Sequence, residues 1–313
     1  MLMFRVLVSD KIAKEGLSPL LESEGIEVVE KNVSEVDDLD SYDALLVRSA
    51  TQVTDEVMRK MPKLKIIGRA GVGVDNIDVH AATERGINVV NAPSGNTIAT
   101  AEHTFALMLA LVRKVCQANQ SIRNEEWNRS AFQGMELYGK TLGIIGFGRI
   151  GKEVAKRARA FQMRVLTCDL VLTDEEAELR GVTRCERTEI FRTADIITLH
   201  LPATPETKHL INEDTLRIMK PGVIIINTAR GSLIDEAALK HSLEIGHVGG
   251  AAMDVHSHEP PENYDLVKME NVLATPHIAA STKEAQLKVA AIVAQEVLNF
   301  ATGKRVENSV NFR

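Results

Sequence analysis

The feature that most constrains this chain is an alternation that runs almost from end to end. Short β-branched runs take turns with helix-length amphipathic segments, the rhythm of parallel strands joined by crossover helices. Two series are readable. The first places strands at FRVLVSD, IEVVEK, DALLVRSA, LKIIGRAG and INVVNAP, with helical segments such as 11–23 and 54–61 between them. The second opens at KTLGIIGFGRIG and continues through RVLTCD, DIITLHLP, VIIINTARG, GGAAMDV and NVLATPH. A long helix is expected between the series over 97–115, followed by a polar link holding Trp127 and Arg129. One more helix, 283–301, leads into GKRVENSVN, which is expected to return to the first series as a tail strand. The expectation is an α/β protein of two domains, 1–98 with 283–313 and 99–282. A chain of 313 residues is long enough for each to bury its own core.

Composition narrows the partners. A formal net charge of -6 leaves no broad basic footprint for nucleic acid. The most apolar helical stretch, FALMLALV at Phe105 to Val112, is bracketed by Glu102 and Arg113 and falls short of the roughly 20 residues a bilayer span needs. Its stripe of Phe105, Leu109 and Val112 reads as core or dimer surface. MLMFRVLVSDKI passes directly into a strand with no export-signal pattern, so a cytoplasmic location is expected. Cys116, Cys168 and Cys185 show no CxxC spacing, and neither a disulfide framework nor a metal site is expected.

Within TLGIIGFGRIGKEVAKRA, a strand meets Gly146, Gly148 and Gly151 in G-x-G-x-x-G spacing and then a helix. The first glycine permits a tight turn and the second lets the backbone approach a pyrophosphate. The third allows close packing of helix on strand, and the helix N-terminus attracts the anion. Asp169 ends the next strand at about the distance where an acid bonds an adenosine ribose diol, which favours NAD over its 2′-phosphorylated form. The alternative is a glycine turn that merely packs an ordinary βα unit.

Three later strand ends carry unusual polar groups: Arg230 in INTARG, Glu259 in AMDVHSHEP and His277 in LATPHIAAS. In a doubly wound sheet, ligands bind outside the carboxyl ends of the strands. Oxidising a hydroxyl needs a base that titrates near neutrality, a role for His277. A carboxylate beside it orients the ring, a role for Glu259, and an arginine fork grips a carboxylate and a developing oxyanion, a role for Arg230. The structural alternatives are a strand-end ion pair for Arg230 and a satisfied core histidine for His277.

These motifs, with NTARGSLIDEAAL and ATPHIAAST, resemble the signatures of the NAD-dependent D-2-hydroxyacid dehydrogenases. VRSATQVT, IGRAGVGVDNID and NAPSGNTIATAEHT look like the branch of that family acting on 3-phospho-D-glycerate. The resemblance covers nearly the whole chain. It implies a Rossmann-like doubly wound NAD-binding domain and a discontinuous flavodoxin-like substrate domain, closing on each other about hinges near 96–100 and 280–283. It implies the trio Arg230, Glu259 and His277, with His277 as proton carrier. Cofactor contacts carried over by it are Arg149, Ile150, Asp169, Thr228, Ala229, Asp254 and Ala279 beside the three glycines, with Asp254 facing the nicotinamide carboxamide. Substrate contacts are Arg48, Ser49, Val72, Gly73 and Asn96, Arg48 being the phosphate partner unless it serves a structural ion pair. A homodimer or higher homo-oligomer is implied as well. Longer members of the branch carry regulatory domains with no counterpart in these residues.

Two positions depart from the family: His256 stands where an aromatic is usual, and Leu170 where a proline commonly follows the ribose acid. In HSHEP, His256 and His258 point to opposite sides of an extended chain and find no further ligand set, so they are read as solvated loop residues. His103, on the apolar helix, is read as a packing or interface contact. The rival functions are a glyoxylate or hydroxypyruvate reductase sharing every catalytic group, and an NAD-sensing regulator of the same fold.

Overall fold

The computed structural model describes residues 3–312, which fall into two compact units, Met1–Thr97 with Ala280–Arg313, and Ile98–Ala279. The first unit is built on β1 (Phe4–Val8), β2 (Ile26–Glu30), β3 (Ala44–Val47), β4 (Ile66–Arg69) and β5 (Asn88–Asn91). All pairings are parallel and the order is β2-β1-β3-β4-β5, the flavodoxin-like arrangement. Both faces of this sheet are covered, which is why its strands read as continuous apolar runs. Leu46 of β3 packs on one side with Val6 and Ile66, while Leu45 and Val47 pack on the other with Leu7 and Ile67.

The helix Lys283–Ala301 belongs to this unit and supplies Val289, Val293 and Val297 to its core. Thr282 caps the helix, its hydroxyl accepting from Ala285 N–H at 3.1 Å. Gly68 of β4 makes room for it, since a Cβ there would lie 2.4 Å from Val293 Cγ1. The tail does return to β5. It makes one antiparallel bridge, Val90 to Ser309, with Val310 N–H donating to Val89 O at 2.7 Å, rather than a full strand.

The second unit carries β6 (Thr141–Ile145), β7 (Arg164–Cys168), β8 (Thr183–Arg184), β9 (Ile196–Leu199), β10 (Val223–Asn227), β11 (Val248–Met253) and β12 (Val272–Ala274). They form one parallel sheet in the order β12-β11-β10-β9-β6-β7-β8. The order reverses between β6 and β9, which makes the crevice at the carboxyl ends of those strands the place for a dinucleotide.

Local differences from the sequence reading have identifiable causes. The helix expected over 97–115 spans Thr97–Val112 and breaks at Lys114, whose φ is 51°, before a second helix, Val115–Arg123. Met135 N–H donates to Val112 O at 2.9 Å, so a segment from later in the chain takes over the helix's terminal carbonyl. The segment 11–23 folds as a 3-10 turn, Lys14–Leu17, and a single α-turn, Ser18–Leu21, with Pro19 at its start. The two-residue edge strand β8 is too short to carry a readable period.

Candidate active site

The turn after β6 is shaped by what its glycines lack. Gly146 has φ 94°, and a Cβ there would lie 2.5 Å from His200 O. At Gly151 a Cβ would come within 2.3 Å of Gly146 O, so the first turn of the helix Arg149–Ala160 rests directly on the strand end. Gly148, the N-cap, is the opposite case, with nothing within 4 Å of a Cβ position. Close contact behind and open space in front, at the N-terminus of a twelve-residue helix, fit a pyrophosphate. Arg149 and Ile150 begin that helix.

Asp169 follows β7 and braces the same turn. Its Oδ2 accepts Phe147 N–H at 2.7 Å and its Oδ1 accepts Val171 N–H at 3.0 Å. A carboxylate has about four acceptor directions, so lone pairs remain for a ribose diol. Leu170, in the position where the family favours proline, is fully exposed.

On the far side of the sheet, Asp254 follows β11 with no exposed surface. Its backbone carbonyl accepts His277 N–H at 2.8 Å. Its Oδ1 accepts the Thr275 hydroxyl at 2.6 Å and Ile278 N–H at 2.8 Å, and its Oδ2 accepts Ala279 N–H at 2.8 Å. Burial pushes this carboxyl's pKa up, but hydrogen bonds from His103, Thr275, Ile278 and Ala279 outweigh it and hold the group below the usual aspartate value. The turn so held carries His277 at φ 53°, a left-handed conformation that a non-glycine residue adopts only when its surroundings fix it.

His277 Nδ1 lies 2.7 Å from Glu259 Oε2. The other oxygen, Oε1, accepts His256 N–H at 3.1 Å, which orients the carboxylate from behind. Burial raises the Glu259 pKa, and its bonds to His277 and His256 bring it back below the usual glutamate value. A cavity of about 670 Å³ opens beside the pair, walled by Pro260, Tyr264, Val267 and Leu273.

Arg230 lies one residue beyond a tight corner after β10. Asn227 makes that corner, accepting Ala229 N–H at 3.0 Å and donating to Arg230 O at 2.8 Å, while Arg230 Nη1 donates to Ala229 O at 2.7 Å. Gly231 follows because a Cβ would fall 2.0 Å from His256 O, so the loops after β10 and β11 pack backbone against backbone. β10, β11 and β12 are consecutive neighbours in the sheet, and the trio therefore stands on three adjacent strand ends. Thr228 is buried and its hydroxyl lies 2.9 Å from that of Thr104.

Two histidines behave differently from the sequence reading. His256 is not a solvated loop residue, since its Nε2 lies 3.2 Å from Thr275 O and its ring is partly buried. His103 is more than a packing residue, with Nε2 3.1 Å from Thr275 Oγ1 and 3.3 Å from Asp254 Oδ1. His258 is exposed.

The residues assigned to substrate lie in the first unit at the carboxyl ends of β3, β4 and β5. Arg48 N–H donates to Asp10 Oδ2 at 2.6 Å, and Asn76 Nδ2 donates to Arg48 O at 2.7 Å. The Arg48 guanidinium donates to a backbone carbonyl, Lys11 O at 3.3 Å, instead of to the Asp10 carboxylate beside it. Asp10 spends that carboxylate on Arg48 N–H and on Thr51, which fixes the loop and leaves the guanidinium partly exposed. Ser49 is exposed, Val72 O accepts Asn91 Nδ2 at 2.6 Å, and Gly73 follows it half-buried. Asn96 Oδ1 is buried with no hydrogen-bond partner.

Residues 105–279 match the family model described as D-isomer specific 2-hydroxyacid dehydrogenase, NAD binding domain. The chain is 58% identical over 310 residues to the D-3-phosphoglycerate dehydrogenase of Bacillus subtilis (strain 168), an alignment covering 99% of this chain and 59% of that protein. It thus spans somewhat over half the length of that relative. The crystal structure of the TT0316 protein from Thermus thermophilus superposes with a TM-score of 0.89 at 35% identity, covering 98% of this chain and 100% of the other. The D-lactate dehydrogenase of Aquifex aeolicus, complexed with NAD and lactic acid, superposes with a TM-score of 0.87 at 31% identity, covering 98% and 99%.

Proposed function

This chain belongs to the D-isomer specific 2-hydroxyacid dehydrogenase family, and on that premise we propose that it oxidises 3-phospho-D-glycerate to 3-phosphohydroxypyruvate, the first step of serine biosynthesis. Bound NAD supplies the hydride acceptor. The observation that carries the reading is the 2.7 Å contact between His277 Nδ1 and Glu259 Oε2. An ionised carboxylate only accepts, so Nδ1 holds the proton and Nε2 is left with a lone pair to take the substrate's hydroxyl proton. Glu259 then stabilises the imidazolium that forms. Arg230 receives the substrate carboxylate and the oxygen that becomes a carbonyl.

The choice of a phosphorylated substrate is supported by the Bacillus subtilis relative's name and by Arg48, whose charge is not consumed by the neighbouring Asp10. The deciding experiment is steady-state NAD reduction with 3-phospho-D-glycerate against D-glycerate, in the wild type and in Arg48→Ala. The expected result is a clear preference for the phosphorylated acid that the substitution erases. Equal or better turnover of D-glycerate by the wild type overturns the substrate assignment and returns Arg48 to a loop-bracing role. The same reading carries a homo-oligomer working in the cytoplasm, which light scattering and cell fractionation test; no helix among the described residues is long and apolar enough to cross a membrane.

A further inference from the structure

We propose that His103 is a positioning residue for His277, acting through Thr275 and Asp254. The proposal rests on the reading of His277 as the proton carrier. Its starting point is a count of protons. Thr275 Oγ1 lies 2.6 Å from Asp254 Oδ1, and because an ionised carboxylate only accepts, the single hydroxyl proton goes there. The hydroxyl oxygen then has only lone pairs left for its second neighbour, His103 Nε2 at 3.1 Å. His103 must therefore carry its proton on Nε2, and the same N–H reaches Asp254 Oδ1 at 3.3 Å.

Asp254 is closed to solvent, so no water substitutes for a donor it loses. Its two oxygens meet Thr275, Ile278 N–H, Ala279 N–H and His103, and the first three flank His277 on both sides. His277 itself holds a left-handed conformation, anchored by its N–H on Asp254 O. Rotating the Asp254 carboxylate or the Thr275 hydroxyl releases that turn, and with it the direction of the His277 ring. His103 is the contact that fixes both from outside the turn. It comes from the helix Thr97–Val112, and the next residue of that helix, Thr104, meets Thr228 at the end of β10. The helix is thus tied at adjacent residues to the carboxyl-end segments that follow β10 and β12.

The test pairs His103→Leu, which fills the space without a donor, with His103→Gln, whose side-chain N–H replaces the donor without titrating. In the leucine variant kcat for 3-phospho-D-glycerate is expected to fall about 10–100-fold, the cost of a misplaced catalytic group, while KM for that acid stays near wild type. Glutamine is expected to recover most of the loss. The second readout needs no turnover: the His277 imidazole resonance, assigned by its absence in His277→Asn, moves in His103→Leu and returns in His103→Gln. A leucine variant with unchanged kcat and an unmoved resonance overturns the proposal, as does a glutamine variant no better than leucine. A resonance that moves and returns in a protein that turns over no hydroxyacid supports the positioning role and overturns only the substrate reading.

Discussion

The two turns that define the cofactor unit's edge, after β6 and after β12, reach similar precision by opposite means. The glycine turn is built by subtraction: Gly146 and Gly151 remove side chains where backbone must touch backbone, and Gly148 leaves open space at the helix N-terminus. The His277 turn is built by addition, with one buried carboxylate gathering donors from 21 to 25 residues away and another from His103 on a distant helix. The first is written in one short stretch, although Gly146 rests against His200 just past β9. The second exists only after β11 and β12 have paired, so its geometry depends on the packed unit, and a change far from His277 can disturb it.

The most severe way to break the contrast is Asp254→Ala. It strips the acceptor from Thr275, Ile278 and Ala279, and each orphaned buried donor costs about 1–3 kcal/mol, so a loss of roughly 3 kcal/mol or more in urea unfolding is expected, together with most of the activity. Gly151→Ala tests the other turn. A Cβ 2.3 Å from Gly146 O must push helix from strand, for an expected loss of about 1–3 kcal/mol. Gly148→Ala sharpens the point, because a Cβ there meets nothing. Unfolding free energy is expected to stay within about 0.5 kcal/mol of wild type. NAD affinity, measured by calorimetry, is expected to fall about tenfold, or 1.4 kcal/mol.

The smallest effect is in the acid limb. The Glu259 pKa is held below the usual glutamate value, so its pairing with His277 stabilises the fold above that value and loses its effect as pH falls through the folded one. Both side chains are more than a third exposed, and solvent screening limits the contribution to about 0.5 kcal/mol. The stability difference between wild type and Glu259→Gln is therefore expected to be that small at neutrality and to vanish in acid. A gap that persists unchanged at low pH contradicts the ionic origin of the pairing.

The same contrast explains what was legible in the sequence. The strands and the glycine spacing could be read because each is written in a short stretch, and Asp169 because it ends the next strand, although the bond it makes to Phe147 spans 22 residues. Arg230, Glu259 and His277 were readable as strand-end polar groups of complementary chemistry. His103 was not, since its partner Thr275 is 172 residues distant and nothing in TAEHTF distinguishes a donor aimed at a buried acid from a packing histidine. His256 was misread for a related reason: alternation along an extended chain predicts side-chain direction, but the backbone of Gly231 presses on this loop and the His256 ring lies against the Thr275 carbonyl. The end of the helix at Val112 was hidden because Met135, not local composition, supplies its cap.

The helix Lys283–Ala301 has a consequence for the order in which the protein is made. β1 to β5 leave the ribosome well before that helix, and one face of their sheet lacks Val289, Val293 and Val297 until residues 283–301 have been made. At about 5–20 residues per second, the intervening unit takes on the order of ten to forty seconds to synthesise. The unit Ile98–Ala279 is contiguous and completes its own core in that interval. The unit Ile98–Ala279 is thus expected to be finished while the first sheet still shows Val6, Leu46 and Ile66 to the cell, so strands made before that unit are sheltered after it.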